Sequence, residues 1–305
     1  MDFPIIDEAT RIQRLVPPTG QVDMVLDTDT FNEIDDQFAV AYSLLSPESM
    51  NVEAIYAAPF SHGARGIGPA EGMQLSYEEI LRLLDRLERS PEGFVFKGST
   101  SYLPADDEPV VSPAAADIVA KAMTDRDGPL YVLAIGAITD VASAILIEPA
   151  IIERIVVVWL GGNASEWPTA AEYNLSQDVP AARVMFDCGV PFVHIPCHPV
   201  AVHLRTTVPE MERWVKGQSP IADYLYQIFC DHHDDHFAWS KVIWDIATIA
   251  WLINSDWVPS VLDHSPILTD QATWSRDRSR HFIRQATNCN RDEIFRDLFT
   301  KLADA

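Results

Sequence analysis

A short apolar run, Met24-Val25-Leu26, leads into four aspartates, Asp27, Asp29, Asp35 and Asp36. The next segment carries Phe38, Ala39, Ala41, Tyr42, Leu44 and Leu45 at helical spacing. The first part reads as a strand and the second as an amphipathic helix. A strand that delivers carboxylates into a strand-to-helix turn constrains the architecture strongly, because in open α/β sheets ligands bind outside the carboxyl ends of the strands. Four carboxylates gathered there repel one another unless a cation sits among them. Oxygen ligands without neighbouring Cys or His point to a hard cation, Ca²⁺ or Mg²⁺, rather than zinc. The plainer alternative is a solvated acidic loop, with Asp35 or Asp36 supporting the helix N-terminus.

The rest of the chain repeats the strand–helix alternation up to about residue 200. Strands are expected at 51–58, 94–96, 130–135, 155–160 and 191–196, and helices at 76–89, 114–124, 137–147 and 180–187. This alternation argues for an α/β fold, a mostly parallel open sheet with helices on both faces. The C-terminal third reads as mainly helical, at 211–217, 220–237, 242–254 and 291–302, with weaker strand signals at 258–268 and 281–283. Residues 1–20 read as an N-terminal arm closed by Pro17-Pro18-Thr19-Gly20. No fixed-period repeat or low-complexity linker divides the chain, so residues 1–305 are expected to form one domain.

Composition narrows the partners. The chain of 305 residues is 48% hydrophobic, which suffices for a substantial core, and carries a formal net charge of −23. That charge disfavours nucleic acid and anionic membrane surfaces and suits a neutral or cationic small molecule, or a metal. Cys188, Cys197, Cys230 and Cys289 lack the spacing of a zinc site or a disulfide framework, so a reducing cytoplasm is expected. No apolar run approaches the roughly 18 residues of a membrane span, and residues 1–20 do not read as a signal peptide.

Further groups at strand ends bear on chemistry. Gly136 after Ile135 allows a sharp turn that exposes main-chain carbonyls, which are ordinary Ca²⁺ ligands, although a plain strand-to-helix turn reads the same way. Gly161-Gly162-Asn163 and Glu172-Tyr173-Asn174 bracket a polar loop with two amides and a carboxylate, suited to hydroxyl groups or simply solvated. Trp244-Asp245 precedes an apolar helix, where the aspartate is either a dipole partner or a further metal carboxylate. The run Asp231-His232-His233-Asp234-Asp235-His236 offers general acids or a solvated helix end. His194, His198 and His203 form a second group, with His194 expected in packing and His198 at the edge of the crevice.

Taken in order, these motifs resemble the nucleoside hydrolase family, calcium-dependent enzymes that cleave the N-glycosidic bond of ribonucleosides. Asp27-Thr28-Asp29 with Asp35-Asp36 is similar to its D-x-D-x-G-x-D-D fingerprint. The likeness continues through residues 133–142, Gly161-Gly162-Asn163, residues 171–174, Asp178 and Asp245. The resemblance implies the family's Rossmann-like fold and a homo-oligomer, dimer or tetramer. It implies Ca²⁺ held by Asp29, Asp36, Asp245 and the main-chain oxygen of Ile135, with Asp29 as the base for the attacking water. Asp35 and Asn163 would bind the ribose, Glu172 and Asn174 its 5′ end, and Asp27 would orient the site from behind. In the family, the region of His232 and His233 walls the base pocket, and either would serve as leaving-group acid.

Three departures stand out. The spacing from Asp29 to Asp35 is two residues longer than in the fingerprint and lacks its Pro-Gly, which brings Asn32 and Glu33 toward the site. Trp244 stands where many relatives have a histidine, as in purine-preferring members, where an indole stacks on the base. Ser61-His62 replaces the asparagine that usually follows the second strand. Two rival readings are a phosphohydrolase of the haloacid dehalogenase type, for which Lys97 and Lys241 read as poorly placed, and a sugar- or nucleoside-binding protein without turnover.

Overall fold

The computed structural model describes residues 3–305. Its centre is an eight-stranded sheet. Six strands come from the first two-thirds of the chain: β1 (Val22–Thr28), β2 (Met50–Ala57), β3 (Val95–Lys97), β4 (Leu130–Ala134), β5 (Ile155–Leu160) and β6 (Phe192–Ile195). Two-residue strands β7 (Arg205–Thr206) and β8 (Lys241–Val242) pair with each other outside the sheet. β9 (Ser260–His264) and β12 (Phe282–Ala286) complete the sheet, and β10 (Ile267–Leu268) pairs with β11 (Trp274–Ser275) in a small hairpin. The strand order is β3-β2-β1-β4-β5-β6-β12-β9. Every pair is parallel except the edge pair β9–β12. The order reverses between β1 and β4, which is where such a sheet opens its ligand crevice.

The strands alternate between two cores. On β5, Val156, Val158 and Leu160 join one cluster, while Ile155, Val157 and Trp159 join the other. A strand buried on both faces reads as a continuous apolar run, which is why the sequence pattern identified it. Helices α2 (Asp35–Leu44), α3 (Pro69–Arg86), α9 (Pro220–Asp231), α10 (Ile246–Ile253) and α11 (Arg291–Ala303) contribute to the first core. Helices α4 (Pro113–Met123), α5 (Thr139–Ile147) and α7 (Val179–Asp187) contribute to the second. Three shorter helices complete the chain: α1 (Glu8–Arg14), α6 (Tyr173–Gln177) and α8 (Val208–Trp214).

Several expected boundaries move. The N-terminal arm contains α1, capped by Asp7, and Leu15 after it is fully buried. The third helix begins at Pro69, inside the glycine-containing stretch expected as loop, because Pro at a first helical turn loses no hydrogen bond. The helix expected over 220–237 stops at Asp231, so the histidine run falls in the connection to β8.

Gly72 illustrates how closely α3 approaches the segment after β2. A Cβ there would lie 2.0 Å from the Phe60 carbonyl oxygen, a backbone atom that cannot step aside. Gly72→Ala is expected to destabilise the protein by about 2 kcal/mol or more in urea denaturation. Gly63→Ala, with nothing within 4 Å of its added carbon, should stay within about 0.5 kcal/mol.

Candidate active site

A cavity of about 610 Å³ opens at the carboxyl edge of the sheet, over the β1/β4 reversal. The β1–α2 loop supplies Asp29, Asn32, Glu33, Asp35 and Asp36, and β4 is followed by Ile135. The loop after β5 supplies Asn163, Trp167, Glu172, Tyr173 and Asn174, the turn after β6 supplies Cys197 and His198, and Trp244-Asp245 enters ahead of α10. A larger cavity, about 1170 Å³, lies at the amino ends of β4 and β5. Its Arg126 is already paired with Asp23 and Glu53, and although Asp7, Asp125, Asp127 and Glu153 line it, the carboxylates that come close enough together to share a cation among the described residues are those at the carboxyl edge.

The carboxylates converge because of where two helices begin. Asp35 and Asp36 are the first residues of α2, and Asp245 immediately precedes α10. Asp245 makes no capping hydrogen bond with its helix; its carboxylate turns instead to Asp35 and Asp36. One oxygen atom from each of the three lies within 4.8 Å of the others, and all three residues are buried. The positive ends of two helices thus face one carboxylate cluster. Asp29 is 1% exposed, its Oδ2 has no hydrogen-bond partner, and its side chain lies against Gly136, where an added Cβ would fall 2.9 Å from Oδ1. The Ile135 carbonyl beside it accepts a 3.0 Å hydrogen bond from Asn174 Nδ2 and retains a second lone pair.

Burial and mutual repulsion dominate the electrostatics. Burial, then the charge of Asp35, pushes the Asp36 carboxyl up to about 8, against the opposing 2.6 Å bond from Thr28 Oγ1. Asp29 and Asp245 are raised well above the ordinary carboxylate range by burial and then by their neighbours. Asp35 is raised by burial, with Lys241 opposing. Lys241, read from sequence as poorly placed for the phosphate-binding role of a phosphohydrolase, lies with its Nζ 3.9 Å from Asp35 Oδ1 and contacts Glu33. Buried, all-oxygen donors with an orphaned carboxylate oxygen fit a hard cation. Asp27 is fully buried and neither of its carboxyl oxygens has a partner; its link to the site is through the backbone, where its carbonyl accepts from the Ile135 N–H at 2.9 Å.

The polar loop is tied inward. Asn163 Nδ2 donates to the carbonyls of Thr169 and Ala171, and its Oδ1 accepts from the backbone N–H of His198 and faces His198 Nδ1 at 3.2 Å. Glu172 accepts from the N–H groups of Gly162, Asn174 and Leu175, so it caps α6 and closes the loop. Asn174 spends both amide protons on Ile135 and Leu160 carbonyls. The expected ribose-side residues are therefore brought together, but as a framework whose donors are largely engaged.

The histidines differ from expectation. His233 is exposed and stacks on Trp239, outside the cavity. His232 lines a neighbouring cleft that shares only Asn32, Glu33 and His62 with the cavity. The early end of α9 is the reason, since it leaves both residues in a connection rather than on a helix face. The histidines that line the cavity are His62 and His198. His198 stacks on Trp167, with ring centroids 5.6 Å apart, and lies 5.6 Å from Trp244. His194 is fully buried among Phe186, Phe192 and Trp274, as expected of a packing residue. Trp167 escaped the sequence reading; an exposed tryptophan in a strand-end loop was its only signal.

A parallel sheet with buried carboxylates at its topological reversal, opposite a loop of amides, makes a crevice suited to a cation and a small hydroxylated ligand. The chain belongs to the inosine-uridine preferring nucleoside hydrolase family, whose model matches residues 52–295. It is therefore a ribonucleoside hydrolase, an enzyme that cleaves N-glycosidic bonds, and neither the phosphohydrolase nor the binding-protein reading holds. The matched segment begins after β1, so the longer acidic loop lies outside it. A pyrimidine-specific ribonucleoside hydrolase, RihA of Escherichia coli K12, is 27% identical over 74% of this chain and 78% of its own. The solved structure of an inosine-guanosine nucleoside hydrolase superposes with a TM-score of 0.75 at 16% identity, covering 94% of this chain and 99% of its own. A purine-preferring ribonucleoside hydrolase from Gardnerella vaginalis superposes at 0.70 with 20% identity, covering 92% and 98%. These two likenesses establish the shared fold.

An acid whose pKa rises on folding stabilises the fold while it is protonated, and that contribution is lost as pH rises through the folded value. The metal-free protein is accordingly expected to lose thermal stability between its unfolded-state value, 3.8, and about 8, the value of Asp36. A divalent cation replaces the protons, so it should raise Tm more at about pH 8 than at about pH 6. Thermal unfolding with Ca²⁺ or with chelator at both pH values checks this; equal shifts would count against the cluster.

Proposed function

We propose that this enzyme hydrolyses ribonucleosides with the help of Ca²⁺ held by Asp29, Asp36, Asp245 and the carbonyl oxygen of Ile135. The observation that carries the reading is the convergence of Asp35, Asp36 and Asp245, with Asp29 and the Ile135 carbonyl at the same crevice. When bound, the cation makes water a better nucleophile and fixes vicinal hydroxyls. Asp29, with its unpartnered Oδ2, accepts the proton from the water that attacks the anomeric carbon. Asp35 accepts a hydrogen bond from a ribose hydroxyl. Glu172 and Asn163 hold the loop that shapes the sugar's far end, and Asn174, whose Oδ1 is unengaged, faces the 5′ side. Glycosidic cleavage passes through an oxocarbenium-like state, and the surrounding carboxylates stabilise its positive charge.

The base stacks on Trp244, with Trp167 and His198 extending the aromatic wall. Such a wall supports purine nucleosides as preferred substrates, in keeping with the purine-acting neighbours in fold. Four free cysteines agree with a reducing cytoplasm, where the enzyme acts as a homo-oligomer. No described helix is long and apolar enough to cross a membrane.

Reducing-sugar release from a panel of purine and pyrimidine nucleosides, with and without chelator, tests this reading. Asp29→Asn is expected to lower kcat by about 10²- to 10⁴-fold with the fold retained by circular dichroism. Asp245→Ala should abolish metal-dependent turnover. Normal hydrolysis by either variant would refute the assignment. Trp244→Ala is expected to reduce the purine-to-pyrimidine ratio of kcat/KM by about tenfold; an unchanged ratio would remove Trp244 from base recognition.

A further inference from the structure

The longer β1–α2 loop does not hang free. Asn32 N–H donates to the Asp29 carbonyl, and Thr30 Oγ1 donates to the Ser76 carbonyl of α3. Arg65 Nη1 donates to the carbonyls of Phe31 and Asn32, at 3.2 and 3.1 Å, and its guanidinium lies over the Phe31 ring. Held in this way, the loop sends Glu33 across to Lys241 on β8, 208 residues along the chain. The Lys241 side chain is 10% exposed, and that of Glu33 is 45% exposed.

Lys241 also reaches the carboxylate cluster. Its Nζ is 3.9 Å from Asp35 Oδ1, whereas the adjacent Asp36 receives the Thr28 hydroxyl at 2.6 Å. Two consecutive aspartates at one helix start are therefore drawn to different partners. The charged and titratable groups facing Lys241 are Glu33, Asp35, Asp245 and His232.

We propose that Lys241, anchored by Glu33 of the longer loop, is a built-in counter-cation that holds the Oδ1 of Asp35 away from the metal and reserves it for the substrate. Lys241 is thus a positioning residue, and it acts through Asp35. The inference rests on the metal reading given above and adds to it a fixed positive charge beside the metal. Such a charge repels a divalent cation while ordering the carboxylate that meets the ribose. Glu33 offsets part of that repulsion. The two members of one ion pair must therefore shift metal affinity in opposite directions, which loss of structure alone would not do.

Calorimetric titration of the full chain with Ca²⁺ at low ionic strength tests this, because exposed charges are screened by salt. Lys241→Met is expected to tighten Ca²⁺ binding by about tenfold while raising the KM for a ribonucleoside. Glu33→Gln, which leaves the ammonium uncompensated, is expected to weaken Ca²⁺ binding several-fold. Lys241→Arg should restore both constants toward the wild-type values. Shifts in the same direction for Lys241→Met and Glu33→Gln, or unchanged affinity in both, would overturn the proposal while leaving the metal site standing. If Lys241→Met does not fold, Glu33→Gln alone decides, by weaker or unweakened binding. Absence of Ca²⁺ binding to the wild-type protein would overturn the metal reading and this inference together.

Discussion

Burying several carboxylates together is the constraint on which the rest of this structure turns. Asp29, Asp35, Asp36 and Asp245 are nearly inaccessible to water, and burial, joined at Asp29, Asp36 and Asp245 by the charge of neighbouring aspartates, raises their affinity for protons. Such a cluster persists only where the fold supplies compensation. Here it comes from the N-termini of α2 and α10, from Thr28 on β1, and from Lys241 at the rim. The parallel sheet makes this possible, because its reversal between β1 and β4 leaves a crevice where both helix starts can meet.

The wall opposite obeys a different economy. Asn163, Glu172 and Asn174 look like free recognition groups in the sequence, yet most of their hydrogen-bonding capacity is spent on backbone groups of their own loop and of β4 and β5. A loop at a strand end cannot satisfy its main chain through a ladder, so side chains must do it. The same residues that would meet a sugar therefore hold the cavity open. That coupling also aims His198, whose Nδ1 faces Asn163 Oδ1, and so links the sugar-side loop to the aromatic wall of Trp167 and Trp244.

The sheet was legible because its strands are buried on both faces and read as unbroken apolar runs, as at residues 155–160. Helix boundaries were less legible. Pro69 starts α3 inside an apparent loop, and α9 ends before His232 although the polar run continues at helical spacing. End points depend on what the flanking backbone packs against, which periodicity does not carry. The β9–β12 pair was faint for a related reason: β9 is an edge strand with Val261 and Leu262 exposed, so its apolar pattern is incomplete.

By itself, the sequence determined which donor atoms the carboxylate side of the crevice holds. Aspartates at the ends of β1 and before α10, and a glycine turn after Ile135, leave oxygen as the only donor type in those motifs. The spacing of strand and helix determined the sheet that would collect them. Only the tertiary structure decided which carboxylates face one another, that Asp245 leaves its helix uncapped, and that His232 and His233 stand away from the cavity while His198 enters it. It also decided the meeting of Glu33 with Lys241, because an ion pair between residues 208 positions apart has no local pattern and exists only once β8 is folded beside the β1–α2 loop.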